Sequence, residues 1–309
     1  VATAAVGQSP LSAAGELWRR TSGGALGRLA KAIISNRKAS AGLVILVAFS
    51  FLAVFPGVVA RDNPNAEVYA PSLGPSGAHL LGTTAYGQDL FAQLIYSTSQ
   101  SMFIAVVSGG LATALSVLVG VTSAYIGGLA DDVLSLVTDV FLVLPAFPLV
   151  VVIAAYSKNG GDAILIAVLV VTGWSYGARQ LRVQVLSLRN RDFLVAARLR
   201  GERRWRVIFS EILPTMTSLI VAIFLGTTIY SVITAAGLQF VGLGSPGTLS
   251  WGTMLYWAQN NEALQAGSPL WAIMPGVCIA LLGAGFALLQ YAFDEVSNPA
   301  LRPVRRRRC

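Results

Sequence analysis

The side chains that carry most enzyme chemistry are nearly missing from this sequence. Its 309 residues include one histidine, His79, and two cysteines, Cys278 and Cys309. One histidine excludes a histidine-cluster metal centre, an HExxH zinc motif and a serine–histidine pair built on more than His79. Cys278 lies in an apolar run and Cys309 is the last residue, so neither a disulfide framework nor a cysteine metal site is expected. The only lysines are Lys31, Lys38 and Lys158, and none follows a glycine. A phosphate-binding loop needs Gly-Lys-Ser/Thr, so the chain has no nucleotide motor of its own. No catalytic residue, metal or bound cofactor is expected.

Charge is scarce too. Charged residues make up 12% of the chain, against about 25% in soluble domains. Hydrophobic residues reach 55%, and the mean hydropathy is +0.67. The formal net charge is +8, but the basic residues sit in segments between apolar runs. That is the distribution of a membrane protein, and no basic–aromatic stripe suggests a nucleic-acid partner.

A spanning helix needs about 20 apolar residues. Six runs qualify: 41–60, 102–126, 133–156, 163–178, 216–236 and 270–293. They are too uniformly apolar for barrel strands, which alternate. The expectation is an all-α integral membrane protein, with a polar tail over 1–40, a membrane domain over 41–293 and a basic tail over 294–309. The first run reads as a retained span and not as a cleaved signal. Twenty of the 22 Lys and Arg residues fall in the two tails and in residues 179–206; only Arg61 and Lys158 fall on the other side. The positive-inside rule then places both termini and the 179–214 segment in the cytoplasm.

That segment carries nine arginines against Asp192, Glu202 and Glu211. Burying them in lipid would cost about 20–30 kcal/mol in all on insertion scales. Asp192 is expected to cap a short helix over 193–200, smooth-faced through Ala196 and Ala197 and ended by Gly201. A second helix should follow, with Trp205, Phe209 and Ile212 near one face, until Pro214 stops it or starts the next span. Helix, glycine turn and helix together suggest a docking surface.

Val195-Ala196-Ala197-x3-Gly201 and Leu213-Pro214 resemble the cytoplasmic loop of permease subunits of ATP-binding-cassette importers, Glu-Ala-Ala-x3-Gly-x9-Ile-x-Leu-Pro. Val195 stands in place of the usual Glu, and Glu211 in place of the Ile. Three more segments are similar to the C-type permeases of dipeptide, oligopeptide and nickel importers: Leu81-Gly82-Thr83-Thr84-Ala85-Tyr86-Gly87-Gln88-Asp89, Asp139 through Pro145, and Leu238 through Gly244 followed by Ser250-Trp251-Gly252. The resemblance implies six spans in the type I importer fold, in the plasma (inner) membrane. It implies a second, homologous B-type permease, two ATPase domains that use ATP and Mg, and an external peptide-binding protein. It assigns residues 192–201 as a coupling helix, with Asp192, Val195, Ala196, Ala197, Arg198, Gly201 and Glu202 at or beside the ATPase contact. Peptides are the implied cargo, with nickel or metal chelates as the alternative. A secondary transporter is the competing class; such proteins often carry internal repeats and mid-bilayer ionisable residues, and this sequence shows no clear repeat and only Asp139.

Other residues invite a role. Small residues recur at Ser116, Gly120 and Ala124, and at Gly276, Ala280 and Ala284, a spacing that lets helices approach closely. Pro145 and Pro148 should kink the third span and shape the path. Asp139, an acid inside that span, is a candidate either for the translocation path, through a substrate amine, or for a structural pairing with a partner helix, and the pairing is the expectation. Trp251, Tyr256 and Trp257 in the second outer segment are candidates for contacts outside the bilayer or for lipid anchoring. His79 reads as an ordinary surface residue.

Overall fold

The computed structural model describes residues 37–156, 161–245 and 247–297. They are helical apart from the connections, with no strand among them and one isolated bridge, Thr83 to Asp89. In chain order the helices are α1 (Arg37–Val54), α2 (Pro56–Val59), α3 (Leu90–Ile126), α4 (Leu129–Val143), α5 (Ala146–Tyr156), α6 (Gly161–Leu188) and α7 (Asp192–Leu199). Then come α8 (Arg204–Val207), a π turn (Ile208–Ile212), α9 (Leu213–Thr215), α10 (Thr217–Phe240), α11 (Trp251–Asn260) and α12 (Pro269–Ser297).

Five helices are long and apolar enough to cross a membrane: α1, α3, α6, α10 and α12. The run expected as the third span is instead two helices of 15 and 11 residues. Leu144 between them is extended, at φ −63° and ψ 131°. The cause is Pro145, which has no N–H to donate and pushes the residue before it out of the helical region. Pro148 lies inside the first turns of α5, where a missing N–H costs little.

α3 begins twelve residues before the apolar run that signals it. Its first turns carry Gln93, Ser97 and Thr98, all buried. At 37 residues it is about 55 Å long, well beyond the ~30 Å hydrocarbon layer. α6 likewise runs past residue 178, so Arg179, Arg182 and Leu188 are helical and not part of a loop.

α3 and α6 make the most extensive helix pair. Ser116, Gly120 and Ala124 line that contact and are buried. A side chain at Gly120 would collide with the Ala178 carbonyl, and Ser116 Oγ donates to the Trp174 carbonyl at 2.6 Å. α10 closes on α3 through Thr227, whose hydroxyl donates to the Gly109 carbonyl at 3.1 Å. Such small-residue and hydroxyl contacts hold helices together where no hydrophobic force separates protein from solvent. The Gly276, Ala280 and Ala284 stripe makes no such contact: Ala280 and Ala284 are exposed, and nothing approaches Gly276. The close approach on α12 is at Gly285, against Ile45 and Gly42 of α1.

His79 is not a surface residue. It is buried, and its Nδ1 lies 2.8 Å from Asp89 Oδ2. The other oxygen of Asp89 accepts from the Ala92 N–H at 2.8 Å and caps α3. Tyr69 meets the imidazole edge-on at 4.3 Å. A charged side chain ten residues away in sequence thus captures the one histidine and starts the longest helix.

Candidate functional site

Residues 189–216 form an elbow at the end of α6, and local chemistry sets its shape. Arg191 is the cap residue of α7, and Asp192 is the first helical residue. Asp192 therefore makes no side-chain cap; it places a negative charge at the positive end of the helix dipole instead. Leu194 and Ala197 are fully buried. They join Val121 and Ala124 of α3 and Leu181 and Val185 of α6 in one apolar cluster. Arg198 reaches over the Tyr125 ring at 5.4 Å, a second tie to the inner end of α3.

α7 ends in a paired-bond turn. The Gly201 N–H donates to Arg198 and the Glu202 N–H to Ala197, the two bonds of a Schellman cap. Gly201 is at φ +75°, with open space where a Cβ would be, so only the backbone conformation requires glycine. Glu202 accepts from Arg200 at 2.9 Å. Ala196 is half-buried beside the turn.

The side of α7 turned away from Leu194 and Ala197 mixes apolar and charged residues, with Val195 and Leu199 between Asp192 and Arg198. Phe193, Val195 and Leu199 are exposed, Leu199 by 84%. Arg198, Arg200, Arg203, Arg204 and Arg206, in and just after the helix, are exposed too. Val195, where the resembled loop has a glutamate, points outward, so that departure changes the surface and not the packing.

The next helix departs from its expected pattern. Trp205 and Phe209 stack at 6.4 Å and are exposed. Ile212 is fully buried with Val207 and Ile208, on the opposite side. The π turn over Ile208–Ile212 is the reason. It inserts a residue into the helical repeat and rotates Ile212 away from the Trp205 face. Met216 then breaks the helix, at φ −105° and ψ 8°, before α10 begins.

Two ion pairs tie α4 to the last turns of α6, just before the elbow. Arg182 grips Asp131 with two bonds, at 2.7 and 3.0 Å. That bonding holds the Asp131 carboxyl below the ordinary carboxylate range, against the opposing pull of partial burial. Asp139 pairs with Arg179 at 3.4 Å, both largely exposed. Sequence reasoning placed Asp139 but missed Asp131, which looked like a plain loop acid. The signal was the absence of any other charge to balance Arg182 at that end of the helix.

On the opposite end, the three aromatics separate. Trp251 is 1% exposed and cannot contact anything outside the chain. Ser250 starts α11 with a capping box, which turns Trp251 inward onto Phe49 at 5.5 Å; its indole N–H donates to the Leu94 carbonyl at 3.3 Å. Tyr256 and Trp257 remain half-exposed, with ring centroids 5.3 Å apart.

Five helices among the described residues, each long and apolar enough to cross a bilayer, define a multi-pass integral membrane protein. Residues 112–297 match the family described as "binding-protein-dependent transport system inner membrane component", and the chain belongs to that family. The matched region contains the whole elbow. The chain is 29% identical over 276 residues to the oligopeptide transport system permease protein OppC of Mycobacterium tuberculosis, which covers 88% of this chain and 94% of the relative. It is 29% identical over 279 residues to the dipeptide transport system permease protein DppC of Alkalihalophilus pseudofirmus, covering 88% and 89%. It is 30% identical over 267 residues to the glutathione transport system permease protein GsiD of Pectobacterium atrosepticum, covering 85% and 87%.

Proposed function

We propose that this chain is the C-type permease of an ATP-binding-cassette importer for peptides. It sits in the plasma membrane with six spans, α4 and α5 together forming the third. Both termini and the elbow face the cytoplasm. A B-type permease completes the pathway, two ATPase domains bind ATP with Mg, and an external binding protein delivers cargo.

The observation that carries this reading is the outward face of α7. Val195 and Leu199 are exposed on the side of α7 opposite the buried Leu194 and Ala197, and Phe193 is exposed at the edge of that contact. Burying each in a groove of an ATPase would contribute about 1.5–3 kcal/mol. The neighbouring arginines fit an acidic rim on that groove. Because α7 is tied to both α3 and α6, a pull on it moves the helix pair as one body, a rigid transition between packed states. ATP and the loaded binding protein would each act by favouring one state.

The names of the relatives, which specify oligopeptides, dipeptides and glutathione, favour peptides over nickel chelates. The test is Phe193→Asp with Leu199→Asp in the assembled transporter. Peptide uptake and stimulated ATPase should fall at least tenfold, while the chain stays in the membrane at normal levels. Unchanged uptake would overturn the proposed contact.

A further inference from the structure

An open groove of about 610 Å³ runs between α3, α10 and the short helix that follows Gly201. Its α3 wall is one stripe at helical spacing, from Gly110 through Val117 and Leu118 to Thr122. Phe224 of α10 meets Gly110 at one end, and Trp205 and Phe209 line the groove beside the elbow. Leu118, Trp205 and Phe209 are each more than half exposed. No charged side chain lines the groove. Thr113, one of its few polar residues, spends its hydroxyl on the Gly109 carbonyl at 2.7 Å. α10 turns its Tyr230 hydroxyl the other way, to Thr172 of α6 at 3.0 Å.

From Gly110 to Thr122, α3 rises about 18 Å. One leaflet of a ~30 Å hydrocarbon layer is about 15 Å deep. An apolar slot of that length matches an acyl chain. Its end at the elbow has a different chemistry. Tryptophan is a residue of the membrane interface, where headgroups lie. Arg204 and Arg206 flank Trp205, are exposed, and form no ion pair among the described residues. Consecutive helical residues stand about 100° apart, so the two arginines leave the helix on either side of Trp205. Residues 203–216 hold three arginines against one acid, Glu211. Glu202, just before them, is paired with Arg200. A neutral lipid would fill the slot and leave those arginines without a counter-charge.

We infer that this groove binds an anionic phospholipid, with an acyl chain along α3 and α10 and the phosphate headgroup at Arg204 and Arg206. The bound lipid joins two spans to the segment that follows α7. Arg198 and Arg200 lie nearer α7 and stay with the proposed ATPase contact. The inference rests on the proposed place of the elbow at the cytoplasmic membrane surface, where anionic lipid is concentrated; it does not depend on the cargo.

The test uses the complete transporter in phosphatidylcholine nanodiscs containing a small fraction of phosphatidylglycerol with a photoreactive acyl chain. Illumination should label residues within 110–122 and 205–213. A photoreactive phosphatidylcholine at the same mole fraction should label them at least tenfold less. An arginine at an anionic headgroup is worth about fivefold in binding. Arg204→Gln with Arg206→Gln should therefore lower phosphatidylglycerol labelling at least tenfold and leave phosphatidylcholine labelling unchanged. Arg204→Lys with Arg206→Lys keeps the charge and should keep most of the signal. Equal labelling by the two probes, or an unchanged signal in the glutamine variant, means ordinary surrounding lipid and overturns the inference. No labelling by either probe means that the sister permease or another protein covers the groove, which overturns it too. Nanodiscs offer both lipids on both faces, so labelling does not depend on which way the elbow points. That placement is tested apart, with Ser210→Cys in a chain also carrying Cys278→Ser and Cys309→Ser. A membrane-impermeant thiol reagent should reach it in inside-out vesicles and not in right-side-out ones. The reverse result would overturn the placement alone, and the labelling would still decide the lipid site.

Discussion

The two ends of this molecule treat their polar groups in opposite ways. At the end formed by residues 60–89 and 241–268, hydrogen bonds close on the chain itself. Thr83 Oγ1 donates to the Ala70 carbonyl at 2.8 Å, His79 meets Asp89, and Ser250 Oγ donates to Gln239 at 2.8 Å. The potential contact residue there, Trp251, is folded inward. Both ends expose apolar side chains, Val68, Leu80 and Leu264 at the first and Leu199, Trp205 and Phe209 at the elbow, but at the elbow they share the segment with arginines, most of which form no ion pair with a described acid. A surface that satisfies itself needs only to stay folded; one that leaves phenylalanine and leucine among arginines is shaped for a partner. Substitutions should therefore change stability at the first end and activity at the second.

The sharpest test at the self-contained end is Asp89→Ala. It removes the cap of α3 and strands His79, and should cost about 2–4 kcal/mol, read as thermal unfolding of the purified protein in detergent. Leu194→Ala probes the boundary between the two regimes. It empties a fully buried site beneath α7 and should cost about 2–4 kcal/mol; uptake should fall with it because α7 loses its seat. Gly201→Ala should cost about 1–2 kcal/mol, all of it from the left-handed backbone, since no atom crowds the site. Gly201→Asn should recover part of that loss. Leu199→Ser should shift stability by no more than about 0.5 kcal/mol, as exposed substitutions do, while lowering uptake. A large stability loss there would break the comparison.

The Asp131–Arg182 pair offers a test with pH. The Asp131 carboxyl is held below its ordinary range in the folded protein by Arg182. Its contribution is therefore present above the unfolded carboxylate value of about 3.9 and is lost as pH falls through the lower folded value. Thermal stability of the wild type should drop more steeply on acidification below about pH 4 than that of Asp131→Asn. Parallel curves would show that the pair contributes nothing.

Much of this architecture is readable from residues that act locally. Pro145 breaks the third apolar run because a proline acts on its immediate neighbours, and Gly201 ends α7 for the same reason. Features that depend on contacts distant in sequence were hidden. The first turns of α3 carry Gln93, Ser97 and Thr98, polar enough to read as loop until the outer segment covers them. His79 looked solvent-exposed because its partner is defined by a fold, not by a spacing. Ile212 sat on the wrong face because a π turn leaves no mark in composition. Among the candidate site residues, the elbow was legible because charge and small residues cluster there.

α3 has no proline in its 37 residues. It joins the Asp89 cap at one end to the Tyr125–Arg198 contact at the other. Over its length of about 55 Å, a tilt of roughly 5° carries one end about 5 Å relative to the other. In engineering terms it is a connecting rod, and the broken α4–α5 pair beside it is the jointed part of the linkage. Motion imposed at the arginine-rich elbow would then arrive at the His79 end as a sweep with no proline kink to absorb it.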